Sequence, residues 1–547
     1  MDEPVQIPAP RDDEQVVDDT PYGAGKDDSI TDTTEHARAT RHTLTINGAS
    51  MRYTATAGHL VAVDQTSARP TAKIFYVAFT ADDTDASTRP VTFFYNGGPG
   101  SSSVFLLLGS FGPRRIKTAM PYFTRPAPYA LEDNPDSLLD HSDLVFLNPV
   151  GTGYSAAIAP HTNGDFWGVD EDARCIKQFI KRYLTVYRRW NSPKFLFGES
   201  YGTPRTCVLS WMLHEDGVDL NGLVLQSAIL DYAQMGNPVG LLPTLAADAC
   251  FHDKVTLAPA PTDVSSFLEQ QVLPFVQTQY ADVQEQYART RKVEPKVLTF
   301  LSDILGIDPI LLQNWSLDPS TGGGNAFLTS LLHAEGRAIG SYDGRVAAVD
   351  TGIAASIDPA SGNNDPTVTA VGGVYTAMFN VYLNEELDYT PISPFIDSNE
   401  QAYPDWNFGH VDPRGEDKGG FNSLYTAGDL AASMALNPYL KVFVASGYFD
   451  AVTPFYQTIM DIEKMPLDDA SARDNICPKY YQSGHMIYLD NDSRTEMKHD
   501  LAEFYREATP PPAGSEPAPT SQGLRAADQA PHLVQSRYRR RLSKAPY

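Results

Sequence analysis

The sequence predicts an α/β fold, a mostly parallel central sheet flanked by helices and carrying a long inserted cap. Three observations carry that reading. Short apolar runs such as "DLVFLNPVG" (143–151) and "KFLFGES" (194–200) lead into glycine, the pattern of strands buried on both faces that feed tight turns. Helical patterns alternate with them; in "DEDARCIKQFIKRYLTVYRRW" (170–190) apolar residues recur at helical spacing with charges opposite. The alternation lapses after residue 232 and resumes at "LKVFVASGYFD" (440–450). One core interrupted by an insertion fits this better than the several domains that a length of 547 residues suggests on its own.

In chain order, residues 1–38 carry clustered Asp, Glu, Pro and Thr with few apolar residues, and are expected to form a disordered acidic leader. Residues 39–232 form the first part of the core, with strands at "AKIFYVAFTA" (72–81), "PVTFFYN" (90–96) and "LNGLVLQSAIL" (220–230). Residues 233–425 form the cap, through "STGGGNAF" and "SGNNDPTVTAVGG". Residues 426–507 return to the core, with strand character at 440–450 and near "KYYQSGHM" (479–486). Residues 508–547 are too Pro-rich for a packed element and end in the basic "RYRRRLSKAPY", read as a solvated tail.

Composition excludes several classes. Hydrophobic residues make up 42% and charged residues 20%, a globular balance. A net charge of −26 argues against nucleic acid as a partner, since phosphate binding needs clustered Lys and Arg. Cys175, Cys207, Cys250 and Cys477 contain no CxxC, which removes the zinc and thioredoxin readings and leaves four reduced thiols as the expectation. "MDEPVQIPAP" has neither a positive start nor an apolar stretch, so no signal peptide is visible. Nor is there an apolar run long enough to span a bilayer, and no membrane partner is expected. A cytoplasmic location follows as the expectation, with other secretion routes open; the sequons at Asn314 and Asn491 matter only outside the cell.

The chemistry starts at "GESYG", which fits G-x-S-x-G with Ser200 at its centre. Two glycines let a strained strand-to-helix turn lift one hydroxyl to the edge of a sheet. A serine hydroxyl attacks only when a base takes its proton and an acid orients the base. In α/β-hydrolases the chain order is serine, acid, histidine. Of the histidines beyond the last core strand, His532 falls in the tail and His499 on a charged helix, which leaves His485 in "SGHM". Asp450 in "SGYFDAVTP" is the leading acid, with Asp231 after "LQSAIL" as the alternative. "FFYNGGPGSSS" (93–103) runs from a strand into a Gly-rich loop able to offer N–H donors to an oxyanion. Such a loop also serves as a plain turn.

"NGGPGSSS", "NPVGTGYS", "GESYG", "SGYFDAVTP" and "SGHM", in this order and spacing, resemble the serine carboxypeptidase family of α/β-hydrolases over residues 70–490. The resemblance implies Ser200 as nucleophile, His485 as base and Asp450 as its orienter, with the N–H groups of Gly98 and Tyr201 as oxyanion donors. It implies that Asn96 and Glu199, aided by Phe94, bind a substrate's C-terminal carboxylate, and that a cap follows the sixth core strand. This chain departs from the usual eukaryotic pattern. Ser101 replaces a cysteine, Ser110 replaces the acid that partners Glu199, Tyr448 replaces an aspartate and Thr203 a glycine; together these resemble a bacterial-type branch. Ser110 belongs to the carboxylate site by position, and its lack of charge implies that Glu199 loses its proton earlier than a paired acid would. Arg114 or Arg115 offers a second route to that carboxylate, against the plainer reading of a surface pair.

The expected function is a serine-type carboxypeptidase that hydrolyses C-terminal peptide bonds through an acyl-enzyme, acting on peptides with a free C-terminus. The alternatives are an esterase or acyltransferase with the same triad, or a silent hydrolase-fold binding protein. No cofactor and no metal are expected, and the oligomeric state is left open.

Overall fold

Among the described residues ten strands hydrogen-bond into one twisted sheet, nine of them side by side along one path, and their order places the candidate chemistry at a single edge. A computed structural model describes residues 15–321, 325–350, 364–467 and 470–509. The strands are β1 (Ala37–Ile46), β2 (Ala49–Val63), β3 (Pro70–Ala81), β4 (Val91–Tyr95), β5 (Asp143–Leu147), β6 (Lys194–Glu199), β7 (Gly222–Gln226), β8 (Lys441–Gly447) and β9 (Ile476–Tyr481). They lie in the order β9-β8-β7-β6-β4-β5-β3-β2-β1, and the short Ala156–Ala157 segment adds to β3. From β9 to β5 every pairing is parallel; β5 to β3, β3 to β2 and β2 to β1 are antiparallel. The sheet is the mostly parallel one expected from the sequence.

Strand alternation divides the core into two layers. Phe93, Leu196 and Leu223 face the helices α2 (Val169–Val186), α3 (Gly202–Glu215) and α6 (Ala427–Leu436). Phe94, Phe197 and Val224 face α1 (Val104–Gly109), α5 (Pro366–Glu385) and α8 (Asn491–Ala508). In α2 the apolar stripe Ile176, Phe179, Ile180 and Tyr183 is buried, each such side chain contributing roughly 2 kcal/mol. Two further helices shape the site, α4 (Pro238–Phe251) and α7 (Phe455–Lys464).

The acidic leader is corrected from residue 15 onward. Val16–Asp18 forms a parallel strand with Tyr389–Pro391. Asp18 Oδ2 accepts from the hydroxyls of Tyr22 (2.9 Å) and Tyr389 (2.8 Å), and both tyrosines also contact the buried His59 ring. Residues 1–14 of the expected leader, and the tail from residue 510, lie outside the described residues.

The insertion divides between two cores. Leu241, Leu242 and Leu245 of α4 pack with Phe267, Leu301, Ile304 and Phe327, and this cluster reaches Phe449 and Phe455 beyond β8. Helix α5 instead lies on the main sheet, with Val371, Tyr375, Phe379 and Tyr382 in the same cluster as Phe94 and Phe197. Among the described residues no helix is long and apolar enough to cross a membrane, and the four cysteines are free.

Candidate active site

Strand β6 ends in Glu199, and the next residue, Ser200, has φ +59°, a left-handed conformation that a non-glycine residue holds only when its surroundings enforce it. Close packing does so here. A Cβ on Gly198 would lie 2.1 Å from the carbonyl oxygen of Gly202, so the elbow closes only with glycine. A Cβ on Gly97 would lie 2.4 Å from the Tyr201 nitrogen, which brings the Gly-rich loop after β4 directly against the backbone that follows Ser200. Gly98, next in that loop, has φ +103°.

Strand β7 anchors the serine to the histidine. The Ser200 N–H donates to the Gln226 carbonyl at 3.0 Å. The Ser227 hydroxyl donates to the His485 carbonyl at 2.6 Å, with the Gln226 side-chain amide at 3.5 Å. His485 Nδ1 bonds Asp450 Oδ2 at 2.8 Å. A carboxylate only accepts, so Nδ1 carries the hydrogen and a neutral ring keeps Nε2 as an acceptor. Asp450 is itself fixed: Oδ1 accepts the N–H groups of Val452 and Thr453, both at 2.9 Å, and Oδ2 accepts the Thr453 hydroxyl at 2.6 Å. That hydroxyl also sits 3.2 Å from His485 Nδ1. The insertion supplies the remaining support, since the His485 N–H donates to the Tyr342 carbonyl and the two rings meet edge to face. Burial disfavours the charged ring, but Asp450, by charge and hydrogen bond, holds the His485 pKa above its ordinary value, with Glu199 and Asp365 adding to this.

Beside the serine, Asn96 Oδ1 accepts the Leu106 N–H at 3.1 Å, which orients its amide NH2 group as a donor. Glu199 is 3% exposed, and its Oε2 is buried without a hydrogen-bond partner, as are the hydroxyls of Tyr375 and Tyr488. Burial pushes the Glu199 carboxyl up to about 7, a rise that the charge of His485 tempers and that of Asp450 supports. Desolvation therefore retains a proton on Glu199 even though position 110 offers no second acid.

Two sequence readings change, those of Phe94 and Ser110, and two alternatives fall away, the carboxylate role of Arg114 or Arg115 and Asp231 as the acid. Phe94 is stacked between Phe146 (4.5 Å) and Phe197 (4.7 Å) in the core, and so supports the loop without facing a ligand. The Ser110 hydroxyl donates to the Leu106 carbonyl of its own helix at 2.5 Å and is not offered to a substrate. Arg114 makes a two-pronged pair with Glu386 and a third bond to Asp133, and Arg115 pairs with Glu132, so the surface reading holds for both. Asp231 caps the turn at Tyr232–Gln234 through the Ala233 N–H, while His485 is bonded to Asp450. Sequence reasoning missed Tyr342, Ser227, Tyr375, Tyr488 and Thr453. Only Thr453 left a local sign, an aspartate followed at the third position by a hydroxyl residue, the pattern of a side-chain-capped turn.

The family model for serine carboxypeptidase matches residues 47–235, a span that includes Asn96, Gly98, Glu199, Ser200 and Tyr201 and ends before Asp450 and His485. Among curated relatives, probable serine carboxypeptidase CPVL of Homo sapiens is 28% identical over 167 residues, 28% of this chain and 33% of that protein. Over that span this chain is similar to serine carboxypeptidases. Serine carboxypeptidase-like 34 of Arabidopsis thaliana is 30% identical over 184 residues, 31% of this chain and 34% of that protein. Lysosomal protective protein of Mus musculus is 27% identical over 170 residues, 30% and 33% of the two chains. The matches thus span about a third of each of these relatives. A solved prohormone-processing carboxypeptidase from Saccharomyces cerevisiae overlays 83% of this chain and 91% of its own, with a TM-score of 0.49 and 14% identity.

Proposed function

We propose that this protein is a serine-type carboxypeptidase that removes C-terminal residues through an acyl-enzyme. The observation that carries the reading is the 2.8 Å bond between His485 Nδ1 and Asp450 Oδ2, anchored through β7 to the strained Ser200 elbow. In this mechanism Ser200 Oγ attacks the scissile carbonyl carbon while His485 Nε2 takes its proton. Asp450 fixes the tautomer and offsets the imidazolium charge. The N–H groups of Gly98 and Tyr201 receive the developing oxyanion. Collapse breaks the C–N bond as His485 returns the proton to the departing amine. Water, deprotonated by the same ring, then cleaves the acyl ester and restores Ser200. Asn96, donating from its oriented amide, and Glu199, protonated, hold the substrate's terminal carboxylate. Hydrolysis of a blocked dipeptide, compared with its C-terminal amide and ester, tests the reading. Release of the terminal amino acid from the free acid is expected; cleavage of the ester alone would make the protein an esterase.

A further inference from the structure

Behind the catalytic acid lies a cavity of about 240 Å³ that no step of this mechanism uses. Ser200, Glu199 and His485 are not among its lining residues, yet two of its walls touch the machinery. Ile229 donates its N–H to the hydroxyl of Thr203, three residues beyond Ser200, and Thr453 bonds both Asp450 and His485. Near this end the walls are apolar, with Ile229, Val452 and Pro454. Two carboxyl groups, Asp231 and Asp461, complete the lining.

Asp461 is 2% exposed and lies on α7, roughly 10 Å along the helix from its start beside Thr453. Gln457 donates to its Oδ1 at 2.6 Å, and Asn237 in turn donates to Gln457, so the carboxyl is held in place. Burial, then the neighbouring charge of Asp231, pushes Asp461 up to about 7. Nearby cations offset this only in part. The charge of Lys464, exposed at the end of α7, acts on both carboxyls, yet both stay above their ordinary value, and Arg473 is committed to the carbonyls of Ile462, Met465 and Leu467. Two like charges in one cavity are costly when it is empty, and a cationic occupant would relieve the cost.

Sheet order says which part of a substrate reaches this cavity. Ser200 follows β6, between Asn96 after β4 on one side and the loops after β7 and β8 on the other. A peptide whose terminal carboxylate sits at Asn96 must run its preceding residues toward those loops, which supply Ile229, Val452 and Thr453 to the cavity wall. We infer that the cavity receives the side chain on the acyl side of the scissile bond, and that Asp231 and Asp461 select a lysine or arginine there, the methylene stem lying along the apolar walls. This rests on the carboxypeptidase reading. The chain's net charge of −26 favours the approach of such cationic peptides.

Blocked dipeptides with Arg, Lys, norleucine or Glu before a constant C-terminal Leu provide the test. Arg and Lys are expected to exceed norleucine in kcat/KM by about tenfold or more. Asp231→Asn and Asp461→Asn should each bring that ratio close to one, whatever happens to the absolute rate. A wild-type enzyme that prefers norleucine, or a ratio that survives both changes, overturns the inference. Hydrolysis of none of the dipeptides would remove the carboxypeptidase reading by itself. Calorimetry with agmatine then still decides the cavity: binding that Asp461→Asn abolishes supports a cation site, and no binding to the wild-type protein refutes it.

Discussion

The backbone N–H of His485 donates to the carbonyl oxygen of Tyr342 at 2.6 Å, with the two rings perpendicular and 5.0 Å apart, so the insertion holds the base in place. Replacing Tyr342 with Phe keeps both the ring and the backbone bond and should leave turnover near wild type. Tyr342→Ala removes the ring and should lower kcat by about ten- to a hundredfold with KM little changed, because a slightly displaced base costs rate more than binding. Steady-state kinetics of the two variants checks this; equal loss in both would assign the effect to the hydroxyl.

The acid assignment gives a second test. Ser200→Ala should cost about 10⁴-fold or more in kcat, and Asp450→Asn about 10⁴-fold by imposing the wrong tautomer on His485. Against a norleucine dipeptide, Asp231→Asn should reduce the rate far less, since Asp231 caps a turn. Collapse of turnover in Asp231→Asn with survival in Asp450→Asn would reverse the assignment.

Glu199 should make substrate binding depend on pH. Protonated below about 7, its carboxyl can donate to a terminal carboxylate; ionised above that, it repels one. KM for a free-acid peptide is expected to rise as pH passes 7 while KM for the matching ester stays flat. Parallel profiles for the two substrates would remove Glu199 from carboxylate recognition.

The same shift acts on stability. The unfolded chain releases this proton near the ordinary glutamate pKa of about 4.3. The folded chain releases it near 7, so stability falls across that interval and stays lower above it. Glu199→Gln removes the penalty, on the order of 3 kcal/mol. Urea unfolding should show the variant gaining on wild type in alkali and not in acid.

His410 behaves in the opposite sense. Its ring lies between Asp170 (2.6 Å from Nδ1) and Asp429 (3.1 Å from Nε2), joining the insertion to α2 and α6. Burial opposes its charge, but the two carboxylates raise its pKa to about 9. The stabilisation, about 3 kcal/mol, is complete below the unfolded value of about 6.5 and is lost as pH rises through the folded value. His410→Asn should therefore be destabilised most in acid, and the gap to wild type, read by urea melts, should narrow in alkali.

What could be read from the sequence was local. The strand, elbow and helix around Ser200 are continuous in the chain, and the glycines at 198 and 202 report the close packing of that turn directly. The ordered segment from residue 15 was hidden, because Asp18 and Tyr22 find their partners at His59 and Tyr389, and acidic composition carries no trace of such distant contacts. Phe94 and Ser110 show a different limit. Resemblance located the positions, but strand alternation turns Phe94 into the core, and the open end of a short helix claims the Ser110 hydroxyl. Tyr342 lies in a stretch without periodic pattern, so nothing nearby in the chain points to His485.

Strands β7 and β8 are hydrogen-bonded neighbours although residues 227–440 intervene between them. The entropy of closing such a loop grows only with the logarithm of its length, so doubling it would cost the sheet about 0.6 kcal/mol. Lineages of this chain can thus lengthen, shorten or rebuild the intervening segment almost without thermodynamic penalty. Constraint falls instead on single points along it, such as the carbonyl at position 342. Selection can then redraw the surroundings of the site while Ser200, Asp450 and His485 stay unchanged.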